Sequence, residues 1–271
     1  MKIKFLLIFL IGHTINATAA RIDTLKIMSP SMQKIIPNLV IIPDSYSASA
    51  KKYPVLYLLH GATDDYKGWV TKVPSIKSYA DQYNFIIVCP DGGYTSWYFD
   101  SPIDKQMQYE TYISKELVGT IDHKYNTLAQ KRGRAITGLS MGGHGAFYLA
   151  FKHQDIWGAA GSMSGGVDIL RFSNNWDIAK RLGNYSQNPD IWEKNTVINM
   201  LQLLNGKDIK LIFDCGVNDF FYDANKRLHL AMLEKNISHD YTERPGAHDW
   251  KYWTNAIQYQ MLFFDNYFKS N

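Results

Sequence analysis

The chain has 271 residues, of which 46% are hydrophobic and 20% are charged, and its formal net charge is +4. This length allows one large domain or two small ones with a substantial buried core. The small net charge argues against a function in binding nucleic acid or an anionic membrane surface.

The first 20 residues have the pattern of a secretory signal peptide. Two lysines give it a basic start, residues 5–11 are an apolar run, and small residues before Arg21 form a cleavage site. The apolar run is much shorter than the roughly 20 residues that a membrane span requires. We therefore expect a signal peptide over residues 1–20 and a secreted or periplasmic mature protein over residues 21–271.

The remainder of the chain predicts a mostly parallel sheet. Residues 22–28 and 35–42 are expected to open it as an antiparallel pair, and residues 54–59 (PVLYLL) are a continuous apolar run typical of a strand covered on both faces. From there, predicted strands and helices alternate, which indicates one α/β domain with helices on both faces of the sheet. The further predicted strands are 85–89, 135–137, 159–163, 209–213 and 239–242; the predicted helices are 75–83, 109–125, one beginning at 142, 223–235 and 250–268, with short helices in an insertion at 170–206.

Only two cysteines are present, Cys89 and Cys215, each at the end of a predicted strand. In the proposed sheet these strands lie several positions apart, at about 4.8 Å per position, so their sulfurs are too distant to bond. We expect two free, buried thiols, and two cysteines form no metal site.

Residues 138–142 (GLSMG) have the G-x-S-x-G pattern of a nucleophile elbow, in which a serine lies on a tight turn from strand to helix. A short apolar strand precedes the pattern and a helix rich in small residues follows it. This context predicts Ser140 as a nucleophile, with a structural Gly-Ser turn as the alternative.

A serine nucleophile needs a base and an acid that orients the base, in the order Ser, Asp or Glu, His along such a chain. His248 lies in a turn-rich loop before the last helix and is the best candidate for the base. Asp219, in the loop after residues 209–215, is the preferred acid, and Asp214 and Asp223 are alternatives.

The oxyanion of the tetrahedral intermediate needs two N–H donors. The backbone of Met141, directly after the nucleophile, is predicted to supply one, and the loop after residues 54–59 the other, from Ala62. His60 precedes this loop; we expect it to brace the loop beside the substrate rather than to act as a second base.

The ordered motifs resemble those of the esterase family that includes esterase D, feruloyl and acetyl xylan esterases, and mycolyltransferases, all α/β-hydrolases. The resemblance covers nearly the whole mature chain and implies a catalytic triad of Ser140, Asp219 and His248 with oxyanion donors at Ala62 and Met141. The motifs that carry it are SPSM (29–32), YLLHG (57–61) with Trp69, SWYFDSP (96–102), YETYISKEL (109–117), GLSMGG (138–143), CGVNDFFYDAN (215–225) and PGAHDWKYW (245–253).

The resemblance implies an exported serine carboxylesterase. Its expected substrates are acetyl or feruloyl esters of plant polysaccharides, or small aryl esters. The aromatic residues Tyr94, Trp97 and Trp250, together with His60, are expected at the substrate pocket. Mycolyltransferases have an acid at the position of His60 and an arginine at that of Thr63, which argues against trehalose as an acceptor. The signal sequence argues against a cytosolic S-formylglutathione hydrolase.

No metal or cofactor is expected, and the oligomeric state stays open. Three alternatives remain: an acyltransferase with the same triad, a thioesterase similar to S-formylglutathione hydrolase, and a non-catalytic carbohydrate-binding protein that has kept the fold.

Overall fold

The protein is described from a computed structural model, in which the described residues are 19–48 and 51–270. Most of the predicted signal peptide, residues 1–18, therefore lies outside the described residues.

The centre of the molecule is an eight-stranded sheet in the order β1-β2-β4-β3-β5-β6-β7-β8. β1 is antiparallel to β2 and β2 to β4, whereas β4, β3, β5, β6, β7 and β8 are parallel to one another. The predicted opening pair and parallel sheet are thus confirmed. The strands are β1 Arg21–Ser29, β2 Lys34–Ile42, β3 Val55–Leu59, β4 Ile86–Pro90, β5 Arg134–Gly138, β6 Ala159–Met163, β7 Lys210–Gly216 and β8 Asp240–Arg244.

Helices cover both faces of this sheet, and each face has its own apolar core. Because the central strands are covered on both sides, all five residues of β3, β4, β5 and β6 are buried. This burial explains the continuous apolar sequence of β3. The α-helices are α1 Gly68–Lys72, α2 Ile76–Tyr83, α3 Tyr109–Thr111, α4 Val118–Lys124, α5 Met141–Lys152, α6 Ile178–Leu182, α7 Pro189–Lys194, α8 Tyr222–Glu234 and α9 Trp250–Lys269; a π-helical segment, Tyr112–Leu117, joins α3 to α4, and 3₁₀ segments span Lys131–Gly133, Leu170–Phe172 and Val197–Leu204.

The structure differs from the predicted elements at three places. The helix predicted over 109–125 contains the π-helical segment, and α1 was not predicted, because its five residues are too few to show a helical period. β7 continues through Gly216 rather than ending at residue 213; it contains Cys215 and also Asp214, which was expected within the strand. Both cysteines are free and buried, as predicted.

The parallel strands all point the same way, so the loops after β3, β5, β7 and β8 emerge at the same edge of the sheet. This edge is where ligands bind in open α/β sheets. The candidate residues at positions 62, 140, 219 and 248 belong to these four loops.

Candidate active site

Ser140 occupies a strained turn between β5 and α5. Its backbone has φ 55° and ψ −117°, a conformation that residues with a Cβ rarely adopt. Such strain at a single polar residue is typical of a functional position, and it lifts the side chain out of the strand towards the edge of the sheet.

Two glycines allow this turn to pack tightly. A Cβ on Gly142 would lie 2.6 Å from the carbonyl oxygens of both Leu59 and His60, and one on Gly138 would lie 2.6 Å from the carbonyl of Gly142. These neighbours are backbone atoms, which have little freedom to move away. The glycines of the motif are therefore required for the close approach of α5 to β3 and β5.

Ser140, His248 and Asp219 form a continuous chain of hydrogen bonds. The Ser140 hydroxyl donates to His248 Nε2 at 2.9 Å, and His248 Nδ1 donates to Asp219 at 3.0 Å from Oδ1 and 2.9 Å from Oδ2. The three residues are separated by up to 108 positions in the chain, and tertiary folding brings them together. In this arrangement the imidazole can accept the hydroxyl proton while the carboxylate holds its Nδ1–H tautomer.

Hydrogen bonds and ring contacts fix the positions of the Asp219 and His248 side chains. The Asp219 side chain is completely buried, and its Oδ1 also accepts the backbone N–H of Phe221 at 2.8 Å. The His248 ring lies between Phe220 and Trp253, with centroid distances of 4.2 and 4.9 Å. The loop of His248 is tied to the loop of Asp219 by a bond from the Asn218 N–H to the Gly246 carbonyl at 2.9 Å.

The other acids considered do not contact His248. Asp214 is buried and accepts hydrogen bonds from Tyr252 and Gln260 at 2.9 Å each, and burial raises the pKa of its carboxyl to about 6. Asp223 lies exposed in the first turn of α8. Asp214 thus attaches α9 to the sheet, and Asp223 faces solvent.

His144, one turn along α5 from the serine, is not a competing base. It is completely buried, and burial lowers its pKa to about 3, so the ring is neutral near pH 7. Its Nδ1 donates to the Gly166 carbonyl at 3.1 Å, and its ring packs between Trp97, Phe99 and Tyr148.

The predicted oxyanion donors lie beside the serine. Ala62 lines the same cleft as Ser140, and Met141 is the first residue of α5, where backbone N–H groups have no partner within the helix. Among the described residues, neither N–H donates a hydrogen bond to an acceptor in the protein. Both groups are therefore available to a substrate oxygen.

His60 supports the loop of Ala62 from behind. Its Nδ1 donates to the Gly61 carbonyl at 2.7 Å, and its Nε2 accepts the Gly92 N–H at 2.8 Å, which together fix one neutral tautomer. His60 is 1% exposed, so it lies behind the loop of Ala62 and not beside the substrate, where it was expected.

Of the three aromatic residues expected at the pocket, only Trp250 lines it. Trp97 is 1% exposed, because left-handed backbone at Trp97 and Tyr98 (φ 55° and 61°) turns its ring into the core. Tyr94 is 64% exposed but is not among the residues that line the cleft. The prediction that Trp97 and Tyr94 line the pocket is therefore wrong.

The cleft over Ser140 has a volume of about 570 Å³, and the sequence analysis missed several residues that line it. Phe220 could have been proposed because it directly follows Asp219, but Trp176 lies in the insertion and no pattern marks it. The lining residues are Gly61, Ala62, Thr63, Asp64, Lys72, Leu139, Ser140, Trp176, Phe220, His248, Trp250 and Trp253.

Within residues 19–48 and 51–270, no group of three or more His, Cys, Asp or Glu side chains is arranged to hold a metal ion. In the same part of the chain, every helix is too short or too polar to cross a bilayer.

Comparison with known proteins identifies similar chains. The model of the family described as "Putative esterase" matches residues 29–264. Esterase Rv1288 of Mycobacterium tuberculosis is 36% identical over 135 residues, which cover 49% of this chain but only 29% of that longer protein. An acetyl esterase of Caldicellulosiruptor saccharolyticus is 25% identical over 74% of this chain and 79% of its own length.

A solved structure of a ferulic acid esterase resembles this one with a TM-score of 0.79. The likeness covers 92% of this chain and 99% of the other, at 28% sequence identity. The family match, over residues 29–264, includes the loops that carry Ser140, Asp219 and His248.

Proposed function

This chain belongs to the Putative esterase family and has the α/β-hydrolase fold, and on that premise we propose that it is a serine carboxylesterase that acts through Ser140, His248 and Asp219. The observation that carries the proposal is the unbroken chain of hydrogen bonds from the Ser140 hydroxyl through His248 to the buried Asp219 carboxylate.

In the first half of the reaction, Ser140 Oγ attacks the ester carbonyl carbon as His248 Nε2 takes the hydroxyl proton. The tetrahedral intermediate then collapses, the bond to the alcohol oxygen breaks, and His248 gives its proton to the leaving alcohol. Asp219 stabilises the imidazolium that exists between these steps. An acyl-enzyme on Ser140 remains.

In the second half, water takes the place of the alcohol. His248 removes a proton from the water as its oxygen attacks the acyl carbonyl, and the proton passes to Ser140 when the acid is released. In both halves the negative oxygen is stabilised by the N–H groups of Ala62 and Met141. Loss of one such donor typically costs about 3 kcal/mol of transition-state stabilisation.

The proposed substrates are acyl esters with an acetyl or feruloyl group, either on a plant polysaccharide or on a small aryl alcohol. The volume of the cleft and its aromatic residues Trp176, Phe220 and Trp250 support this class. We also propose that residues 21–271 are exported as one domain after removal of residues 1–20, on the basis of the signal pattern alone.

The proposal is tested by labelling and turnover. A fluorophosphonate probe should label the wild-type protein at Ser140 and fail to label Ser140→Ala, and only the wild type should release acid from acetylated xylan, methyl ferulate or p-nitrophenyl acetate. A Ser140→Ala variant that hydrolyses these esters at the parental rate would contradict the assignment.

Product analysis separates the alternatives. Acyl-sugar products formed at the expense of free acid, when a sugar acceptor is added, would identify an acyltransferase. Binding to xylan without labelling or turnover would identify a carbohydrate-binding protein. N-terminal sequencing of the mature protein tests the cleavage before Arg21.

A further inference from the structure

The proposed catalytic steps leave one side of the cleft without a role. Trp176 and Phe220 stack there, with ring centroids 5.7 Å apart and an interplanar angle of 21°. Phe220 also contacts the His248 ring, yet it is 53% exposed. A pair of stacked rings that faces solvent directly beside the base is an apolar surface suited to a bound ring.

The backbone that presents Trp176 is strained. Trp176 and Asp177 are consecutive residues in left-handed conformation, with φ 46° and 58°. For residues with a Cβ this conformation costs about 1–2 kcal/mol each. Local contacts of Asp177 offset part of this cost, since its carboxylate accepts a hydrogen bond from Thr95 at 3.2 Å and pairs with Lys180 at 2.9 Å.

Trp97 fixes the position of Trp176 from the core. Its indole Nε1–H donates to the Trp176 carbonyl at 3.2 Å, and the two rings are in contact at a centroid distance of 6.1 Å. The Trp97 backbone N–H in turn lies 3.3 Å from the sulfur of Met141. The strained segment is thus connected to the residue that follows the nucleophile.

The lining of the cleft combines polar and apolar groups. Thr63, Asp64 and Lys72 contribute polar side chains, whereas the surface formed by Trp176 and Phe220 is apolar. Hydroxyl groups of a sugar find hydrogen-bond partners among the polar side chains. A flat, unsaturated ring is favoured on the aromatic surface, because stacking needs area rather than polar partners.

We propose that Trp176 is a specificity-determining residue which, with Phe220, stacks on a flat ring of the ester substrate, and that Trp97 is the positioning residue that holds it. The inference rests on the proposed function, since it concerns which esters reach Ser140. The ring belongs either to the acyl half of the ester or to its alcohol half, and the same experiment distinguishes the two.

Three substrates test the proposal: methyl ferulate with a ring in the acyl half, p-nitrophenyl acetate with a ring in the alcohol half, and ethyl acetate without a ring. Trp176→Ala should lower kcat/KM for one of the ring substrates at least about tenfold more than it lowers kcat/KM for ethyl acetate, mainly through KM. The ring substrate that loses more identifies the half of the ester that stacks.

Two conservative variants separate stacking from a merely structural effect. Trp176→Phe keeps a flat ring and should recover most of the lost kcat/KM. Trp97→Phe keeps an aromatic core but removes the indole N–H, and should raise KM for the same ring substrate more than KM for ethyl acetate. Tyr259→Ala, which removes an exposed ring on α9 outside the cleft, is the matched control.

Equal losses with all three substrates, or no loss with either ring substrate, would overturn the proposal. Calorimetric binding of methyl ferulate and of p-nitrophenol to Ser140→Ala, with and without Trp176→Ala, separates this failure from failure of the esterase assignment. Binding that depends on Trp176, together with a wild-type protein that hydrolyses none of the three esters, would refute the esterase and keep the stacking surface. Turnover that is indifferent to Trp176 would refute the stacking surface and keep the esterase.

Discussion

The substitution Asp219→Asn tests the proposed mechanism most directly, because it changes one buried atom. In the native protein, Asp219 Oδ1 accepts a hydrogen bond from the Phe221 N–H at 2.8 Å. Because this N–H needs an acceptor, the side-chain oxygen of an asparagine at position 219 should occupy the place of Oδ1. The amide NH₂ then takes the place of Oδ2, 2.9 Å from His248 Nδ1. With the imidazole in its productive tautomer, two donors would face each other.

Moving the imidazole proton from Nδ1 to Nε2 relieves this conflict, but Nε2 then carries a hydrogen and no longer accepts the Ser140 hydroxyl proton. The variant also lacks the carboxylate charge that stabilises the imidazolium. Together these losses amount to about 4–5 kcal/mol in the barrier, or about 10³–10⁴-fold in kcat. KM should change little, since Asp219 is buried behind His248 and does not line the cleft.

The assay is the steady-state hydrolysis of p-nitrophenyl acetate, with a thermal melt to show that the variant is folded. Asp223→Asn is the matched control, because it makes the same chemical change at an exposed position four residues away. Its kcat should equal that of the parent. If Asp219→Asn keeps more than about a tenth of the parental kcat, or if Asp223→Asn loses as much, the reasoning about the imidazole tautomer is refuted.

Two further predictions concern stability. Gly142→Ala should lower the free energy of unfolding, measured in urea, by about 2–3 kcal/mol, because the added Cβ meets two backbone carbonyls at 2.6 Å. Gly119→Ala is the control: a Cβ there has no atom within 4 Å, so the substitution should raise the free energy of unfolding by up to about 1 kcal/mol. Similar effects at both positions would contradict the packing argument. Burial raises the pKa of the Glu110 carboxyl, but hydrogen bonds from His153, Lys152 and Tyr148 outweigh it and lower that pKa from 4.5 to about 2. The folded-state pKa is the lower one, so the stabilisation is complete above pH 4.5 and is lost as the pH falls towards 2. Glu110→Gln should therefore lower the free energy of unfolding by about 2–3 kcal/mol at neutral pH and by progressively less below pH 4.5. Urea titrations that show the same difference in stability from the wild type at pH 7 and at pH 3 would refute this account.

Much of the fold follows from patterns that are local in the chain. The apolar run at residues 54–59 predicts a strand covered on both faces, and β3 is buried along its whole length. The pattern at 138–142 predicts a tight turn because few residue types tolerate its backbone. The strained φ at Ser140 and the contacts that a Cβ on Gly142 would make fit that expectation.

The identity of the hydrogen-bonded acid was less determined by the sequence. Asp214, Asp219 and Asp223 lie within ten residues of one another, and all three follow or end the same apolar run. The end of β7 decides among them, since Asp214 remains within the strand and contacts α9, whereas Asp219 lies in the loop that reaches His248.

The lining of the cleft was the part that sequence reasoning predicted least well. Trp97 and Tyr94 lie in a loop whose aromatic composition predicts a pocket lining, but left-handed backbone at Trp97 buries its ring. Trp176 comes from an insertion in which no pattern marks it as a lining residue, and it reaches the cleft through the strained turn at 176–177.

By itself, the sequence determined the alternation of strands and helices, the elbow around Ser140 and the order of the candidate serine, acid and histidine, because each depends on residues close together in the chain. Only the tertiary structure decided which carboxylate meets His248 and which aromatic rings face the cleft. Those outcomes depend on a few backbone dihedral angles in loops and on contacts between distant residues, 29 positions apart for Asp219 and His248 and 79 for Trp97 and Trp176, and no local pattern encodes either.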